Sequence, residues 1–249
     1  MIKGIDTAAT VTMDSAKKLY SLGYRFVGRY IVPETEMFKW KVLKADEAKI
    51  IRSAGLAILP IWETSGARAK GGYAAGTTDG KAAAERAKEF GIPDGTVIVF
   101  AVDYDAPKSD YQSIESYFRA AKWNIGTYKI GMYAPSAVIK ELGNLVDFKW
   151  RTYAWNTGSV DADCYQTHYQ DNISAKALQT KVDFAVDLDE TKSIDLMWKP
   201  TSPEQDALKW AQSFKITDDP ALALAFWRYH NTFRNGEDDL QRPSGLTTD

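Results

Sequence analysis

Cysteine and histidine are scarce in this chain. The single cysteine, Cys164, can form no internal disulfide and cannot build a cysteine zinc cluster. Two histidines, His168 and His230, are too few for a multi-histidine metal site. A surplus of positive charge is missing as well: 31 Lys and Arg stand against 33 Asp and Glu, a formal net charge of -2. Neither nucleic acid nor an anionic membrane is therefore indicated as a partner. The opening MIKGIDTAAT has no basic stretch followed by a long apolar run, and no segment stays apolar long enough to span a bilayer. The expectation is a protein synthesised in the cytoplasm without a signal peptide and without membrane insertion. A phosphate-binding glycine loop is also lacking, since GIDTAATVT after the first candidate strand is not GxGxxG.

What is present is a repeat. Three helix-like segments, SAKKLYSLG, ADEAKIIRSAG and KAAAERAKEFG, each end in glycine and lead into an apolar run. Gly23, Gly55 and Gly91 suit the left-handed residue after a helix, and they recur at intervals of 32 and 36 residues. That period fits strand, loop, helix and loop. The predicted strands are 3–6, 25–31, 56–63, 96–105, 129–134, 152–156, 165–171 and 184–190. Predicted helices lie near 14–22, 44–54, 78–90, 109–123 and 135–142. Eight such strands point to an α/β (β/α)₈ TIM-like barrel with short or missing late helices. The alternative is an open doubly wound sheet. After residue 199 the composition changes. Ser202-Pro203 with Gln205, and Asp219-Pro220, read as two capped helix starts. In the second, Leu222, Phe226, Tyr229 and Phe233 fall on one stripe. The expected division is a barrel over 1–199 and a helical pair with a tail over 200–249.

In a parallel barrel the active site lies at the C-terminal ends of the strands. The residues closing the predicted strands are Asp6, Arg29, Glu63, Asp103 with Asp105, Tyr133, Trp155 with Asn156, Gln170 with Asp171, and Asp187 with Asp189. Aromatics lie beside them, among them Trp62, Tyr133 and Trp155. In VIVFAVDYDA an apolar run passes straight into two acids. Residues two apart on a strand share a face, so Asp103 and Asp105 are expected side by side. Two adjacent carboxyls resist ionising together, which leaves one protonated. A protonated acid beside an ionised one is the equipment of glycoside cleavage. Other readings stand beside this one. Each acid can cap a helix, Asp105 before Ala-Pro can be turn chemistry, and Arg29 can neutralise Glu63 or Asp6. The acid cluster can also hold Mg²⁺ or Ca²⁺.

In order along the chain, GIDTA, FVGRYI, AILPIWE, IVFAVDYDA, IGMYAPS, TYAWN and YQDN resemble the DUF1906 (Rv2525c-like) glycoside-hydrolase-like family, a TIM barrel related to the GH25 lysozymes, or muramidases. The resemblance covers about residues 1–190. A barrel followed by a small C-terminal module is also similar to the layout of phage and bacterial endolysins. The resemblance implies that Asp6 matches the acid ending the first strand of those lysozymes, and Asp103 the first acid of their Asp-x-Glu pair. Asp105 stands where they carry glutamate as general acid. Aspartate is one methylene shorter, so Glu63 is the other candidate donor.

The function expected on these grounds is a peptidoglycan hydrolase cleaving β-1,4 bonds of cell-wall glycan, without a cofactor or metal, acting at the wall after release. Asp105 or Glu63 supplies the proton, Asp103 stabilises the reacting carbon or acts as base, and Asp6 positions substrate or water. Arg29, Trp62, Tyr133, Trp155, Gln170 and Asp187 are the expected substrate-binding residues. The rivals are a glycan-binding barrel that has lost its acid and a metal-dependent phosphoesterase. Oligomeric state is left open.

Overall fold

The computed structural model describes residues 1–169, 184–201, 211–212 and 217–234. The chain divides into two units, Met1–Pro200 and Thr201–Asp249. In the first, eight strands close a barrel in sequence order: β1 Ile2–Asp6, β2 Tyr24–Tyr30, β3 Ala57–Trp62, β4 Val97–Ala101, β5 Lys129–Ala134, β6 Phe148–Arg151, β7 Cys164–His168 and β8 Asp187–Thr191. Five helices pack outside: α1 Met13–Ser21, α2 Ala45–Ser53, α3 Gly72–Glu89, α4 Tyr111–Asn124 and α5 Ser136–Leu142. This is the α/β TIM-like barrel expected from the repeat. Among the described residues no helix is long and apolar enough to cross a membrane.

The pleat sorts each strand into two faces. Phe26, Leu59, Val97, Val99, Phe148, Trp150 and Cys164 form the inner cluster. Their odd-even partners Val27, Ile58, Ile98, Phe100, Ile130 and Met132 form the outer one, under the helices. Both faces are apolar because both are covered.

Strands β1 to β7 run parallel, but β8 runs antiparallel to both β7 and β1. The expectation of eight parallel strands is corrected there. The consequence is chemical: it is the first residue of β8, not the last, that reaches the end of the barrel where the other strands finish. Asp187 consequently lies in register with Asp6, and Asp189 with Gly4 one step deeper.

Two boundaries also differ from the sequence reading. The sixth strand is Phe148–Arg151 rather than 152–156. TYAWN is instead a folded loop, because the Asn156 amide donates to the carbonyls of Thr152 and Tyr153. Such local side-chain bonds replace ladder bonds. Helix α3 begins at Gly72, six residues before the predicted start. Its glycines are contact points, not breakers. A Cβ on Gly76 would lie 2.1 Å from the Tyr117 carbonyl oxygen of α4.

In the second unit, helix α6 spans Pro220–Arg234. Asp219 Oδ1 accepts from the backbone of Ala221 at 2.8 Å and of Leu222 at 3.2 Å, so the Asp-Pro start acts as a cap. Among the described side chains, Ala223, Leu224 and Trp227 pack with Ala211. Leu222 and Phe226, from the expected stripe, are half-buried.

Gly76→Ala supplies the expected test of the α3–α4 contact. Alanine favours a helix interior by about 1 kcal/mol, yet here its methyl must push the two helix backbones apart. The variant is expected to lose about 1–3 kcal/mol in urea unfolding. Equal or greater stability contradicts the close-contact role.

Candidate active site

Five carboxyl groups gather at the barrel mouth. A pocket of about 80 Å³ is lined by Asp6, Glu63, Asp103 and Asp187 together with Tyr30, Tyr133 and Gln166. Asp189 lies directly beneath, fully enclosed. The lining residues continue the inward parity of their strands: Tyr30 after Phe26, Glu63 after Leu59 and Ile61, Asp103 after Val99 and Ala101. Gly28, across from Asp6, leaves the space the acid needs, since a Cβ there would come within 2.8 Å of Asp6 Cβ.

Gln166 is the hub. Its Nε2 donates to Asp6 Oδ2 at 3.1 Å and to Asp187 Oδ2 at 2.8 Å. Its Oε1 accepts from the Tyr133 hydroxyl and from the Tyr153 backbone N–H, both at 3.0 Å. Two carboxylates on one side and two donors on the other fix which way the amide points.

Asp189 accepts from Trp150 Nε1 at 3.0 Å. Among the described residues its second oxygen has no donor, and Asp6 is close enough to add to the charge it meets. Burial first, then the charges of Asp6 and Asp187, hold Asp189 well above the ordinary carboxylate range. Asp6 is also raised, by burial and then Asp187, while bonds from Gln166 and Asp189 pull the other way. Both acids therefore resist ionising, and the pair keeps a proton to higher pH than a free aspartate does.

Asp103 is raised from 3.8 to about 6, chiefly by burial, then by Glu63 and Asp187, with Lys41 opposing. Lys41 Nζ is 3.5 Å from Glu63 Oε2 and 4.4 Å above the Tyr30 ring. The Tyr30 and Tyr133 hydroxyls are pushed up by burial and by the surrounding acids, so they stay neutral donors.

Five of the residues expected from sequence thus come together: Asp6, Glu63, Asp103, Tyr133 and Asp187. Four others do not line the pocket. β4 ends at Ala101, so the two-residue rule no longer governs Asp105, which is exposed and close enough to Tyr111 to raise that hydroxyl. Arg29 and Trp62 precede inward residues by one and so face outward. Arg29 is fully buried, bonded to Glu47 at 2.7 and 3.0 Å and to the carbonyls of Thr7 and Lys41. Trp62 packs on Phe100. Trp155 is 41% exposed on the loop after β6, with a φ of 55°. Gln170 lies outside the described residues. Gln166, Tyr30 and Lys41 are site residues that the sequence reading missed, and Asp189, placed by it at a strand end, is given no role there. Among the described residues no three of His, Cys, Asp and Glu are placed to share a metal ion.

The model of the Rv2525c-like, glycoside hydrolase-like domain matches residues 17–248. The chain belongs to this family. Two Bacillus subtilis (strain 168) relatives, both uncharacterized, match a portion of it. FadG is 37% identical over 145 residues, 55% of this chain. YbfG is 33% identical over 148 residues, 49% of this chain. The chain spans only 25% of FadG and 19% of YbfG. The Mycobacterium tuberculosis Tat-secreted protein Rv2525c, solved with L-tartrate, shares the fold with a TM-score of 0.65 at 20% identity, over 79% of this chain and 98% of that one. The domain thus belongs to a family described as glycoside hydrolase-like and shares the fold of Rv2525c.

Asp103 gives a pH-dependent expectation. Its folded pKa is raised, so the folded chain holds this proton more tightly than the unfolded one. The group costs no stability below about pH 4, and its cost grows as pH rises from 3.8 through about 6. Asp103→Asn removes that cost. At pH 7.5 the variant is expected to be more stable by on the order of 1 kcal/mol, discounting for solvent at the mouth. At pH 4 the difference is expected to vanish. Denaturation curves at the two pH values check this, and an equally destabilised variant at both contradicts it.

Proposed function

We propose that the barrel is a lysozyme-type peptidoglycan hydrolase that cleaves the β-1,4 bond after N-acetylmuramic acid and acts at the cell wall. The observation that carries this reading is Asp103, held at a pKa of about 6 beside Glu63 and Asp187 over an apolar floor. A donor of that pKa is still partly protonated near neutrality and gives its proton up readily. The sequence reading gave the proton to Asp105 or Glu63. The pocket favours Asp103 instead, since Asp105 is outside it and Glu63 has Lys41 beside it.

In the proposed reaction Asp103 passes its proton to the glycosidic oxygen as the bond from that oxygen to the anomeric carbon breaks. The ionised carboxylates at the mouth stabilise the positive charge that develops on the carbon. Water then adds to that carbon and gives its proton to a mouth carboxylate. Asp6 and Asp187, tied together through Gln166, orient the substrate. A volume of about 80 Å³ suits one sugar substituent, such as an acetamido arm, with the glycan lying across the mouth.

Release of reducing ends from purified peptidoglycan tests this. Asp103→Asn is expected to lose about 10²–10⁴-fold in rate, Glu63→Gln to lose strongly, and Asp105→Ala to stay near the parent. Because the donor must be protonated, kcat/KM is expected to fall as pH rises above about 6. Full activity in Asp103→Asn, or a rate independent of pH from 5 to 8, contradicts the assignment. A second reading, a glycan-binding barrel without catalysis, draws support from Asp105. The position matching the lysozymes' glutamate lies outside the pocket. Wall binding with no reducing-end release selects it.

A further inference from the structure

A second pocket, of about 460 Å³, opens beside α4 and α5. That volume falls within the roughly 300–1,000 Å³ of small-molecule sites. Its walls carry Lys108 and Tyr111 from the segment after β4, Lys140 and Glu141 from the helix after β5, and Thr157 and Ser159 from the loop after β6. These segments follow the same end of the barrel as Asp103 and Glu63.

This wall carries charges of both signs on exposed side chains that form no ion pair among the described residues. Among the described residues neither Lys108 nor Lys140 has a carboxylate within ion-pair distance, and Glu141 has no cation there. This contrasts with Lys41, Lys70 and Lys122, each of which reaches an acid. The wall is also fixed in advance. The Thr157 N–H donates to Ser136 Oγ, and the Ser136 N–H to Asn156 Oδ1, both at 3.2 Å. The Asn156 amide in turn holds the loop's own carbonyls. A preset wall lowers the ordering cost of binding.

We propose that this pocket binds the peptide branch of peptidoglycan, a short peptide bearing free carboxylates and a free ammonium. Lys108 and Lys140 take the carboxylates, Glu141 takes the ammonium, and the hydroxyls of Thr157 and Ser159 pair with peptide amides. The proposal rests on the glycan-cleaving reading and narrows its substrate. A neutral acetylated glycan offers this pocket no charge, whereas the peptide branch carries both signs.

The test uses the full chain and acetyl-L-Ala-γ-D-Glu-L-Lys-D-Ala, whose one ammonium is on its lysine, followed by calorimetry or NMR at low salt. Saturable binding is expected. It should weaken about tenfold or more in a Lys108→Ala, Lys140→Ala double variant, and also when norleucine replaces the peptide's lysine. Asp103→Asn should bind as the parent does. No saturable binding, or binding indifferent to both lysines, overturns the proposal. The probe contains no glycosidic bond, so the two readings fail separately. Cleavage of glycan without peptide binding removes the pocket's role. Peptide binding without cleavage keeps it and removes the hydrolase.

Discussion

Burial of several carboxyl groups side by side at the barrel mouth is the constraint on which the site depends. Asp6, Glu63, Asp103, Asp187 and Asp189 arrive from four strands at one narrow mouth of about 80 Å³. They cannot all ionise at once. The structure meets this in three ways: Asp189 and Asp6, whose burial and mutual charge hold both above the ordinary carboxylate range, an amide hub at Gln166 and Lys41 beside Glu63. At the more open edge Asp103 is raised first by burial and then by the charges of Glu63 and Asp187. A group that keeps its proton to about pH 6 there is both a cost to stability and a proton donor.

The reversal of β8 makes this arrangement possible. A parallel last strand would send its first residue to the far end of the barrel. Running antiparallel, β8 sets Asp187 level with Asp6 and buries Asp189 beneath it, where the Trp150 indole meets it. The outer face of the same barrel secures the frame. Arg29 and Glu47 form a fully enclosed pair that also engages the Thr7 and Lys41 carbonyls and the Val11 N–H. Breaking such a buried pair typically costs about 3–5 kcal/mol. Arg29 therefore anchors the segments that carry Thr7 and Lys41, both close to the mouth, without entering it.

Much of this was legible in the sequence because two periods are simple. The recurrence of Gly23, Gly55 and Gly91 marks the strand-helix repeat, and acids at the ends of apolar runs mark the mouth. Asp6, Glu63, Asp103, Tyr133 and Asp187 were found that way. The misreadings have local causes. Arg29 and Trp62 stand one residue from inward positions, and end-of-strand reasoning without exact register cannot separate the two faces. Asp105 follows a strand that stops at Ala101, so alternation no longer applied. TYAWN has strand composition, but Asn156 folds it into a loop. Helix α3 starts before its predicted position because Gly76 and Gly80, poor helix formers by propensity, are close contacts with α4. Gln166 carried no signal, and Asp189 was placed at a strand end without its depth. Their roles come from the orientation of β8, which no local pattern states.

The most direct measurement is a ¹³C NMR titration of the Asp103 carboxyl in the folded chain. A midpoint near 6 is expected, moving toward the ordinary aspartate value when Glu63 is replaced by Gln. A midpoint near 3.8 in the parent chain contradicts the crowding of carboxyls at this mouth, and with it the assignment of Asp103 as the proton donor.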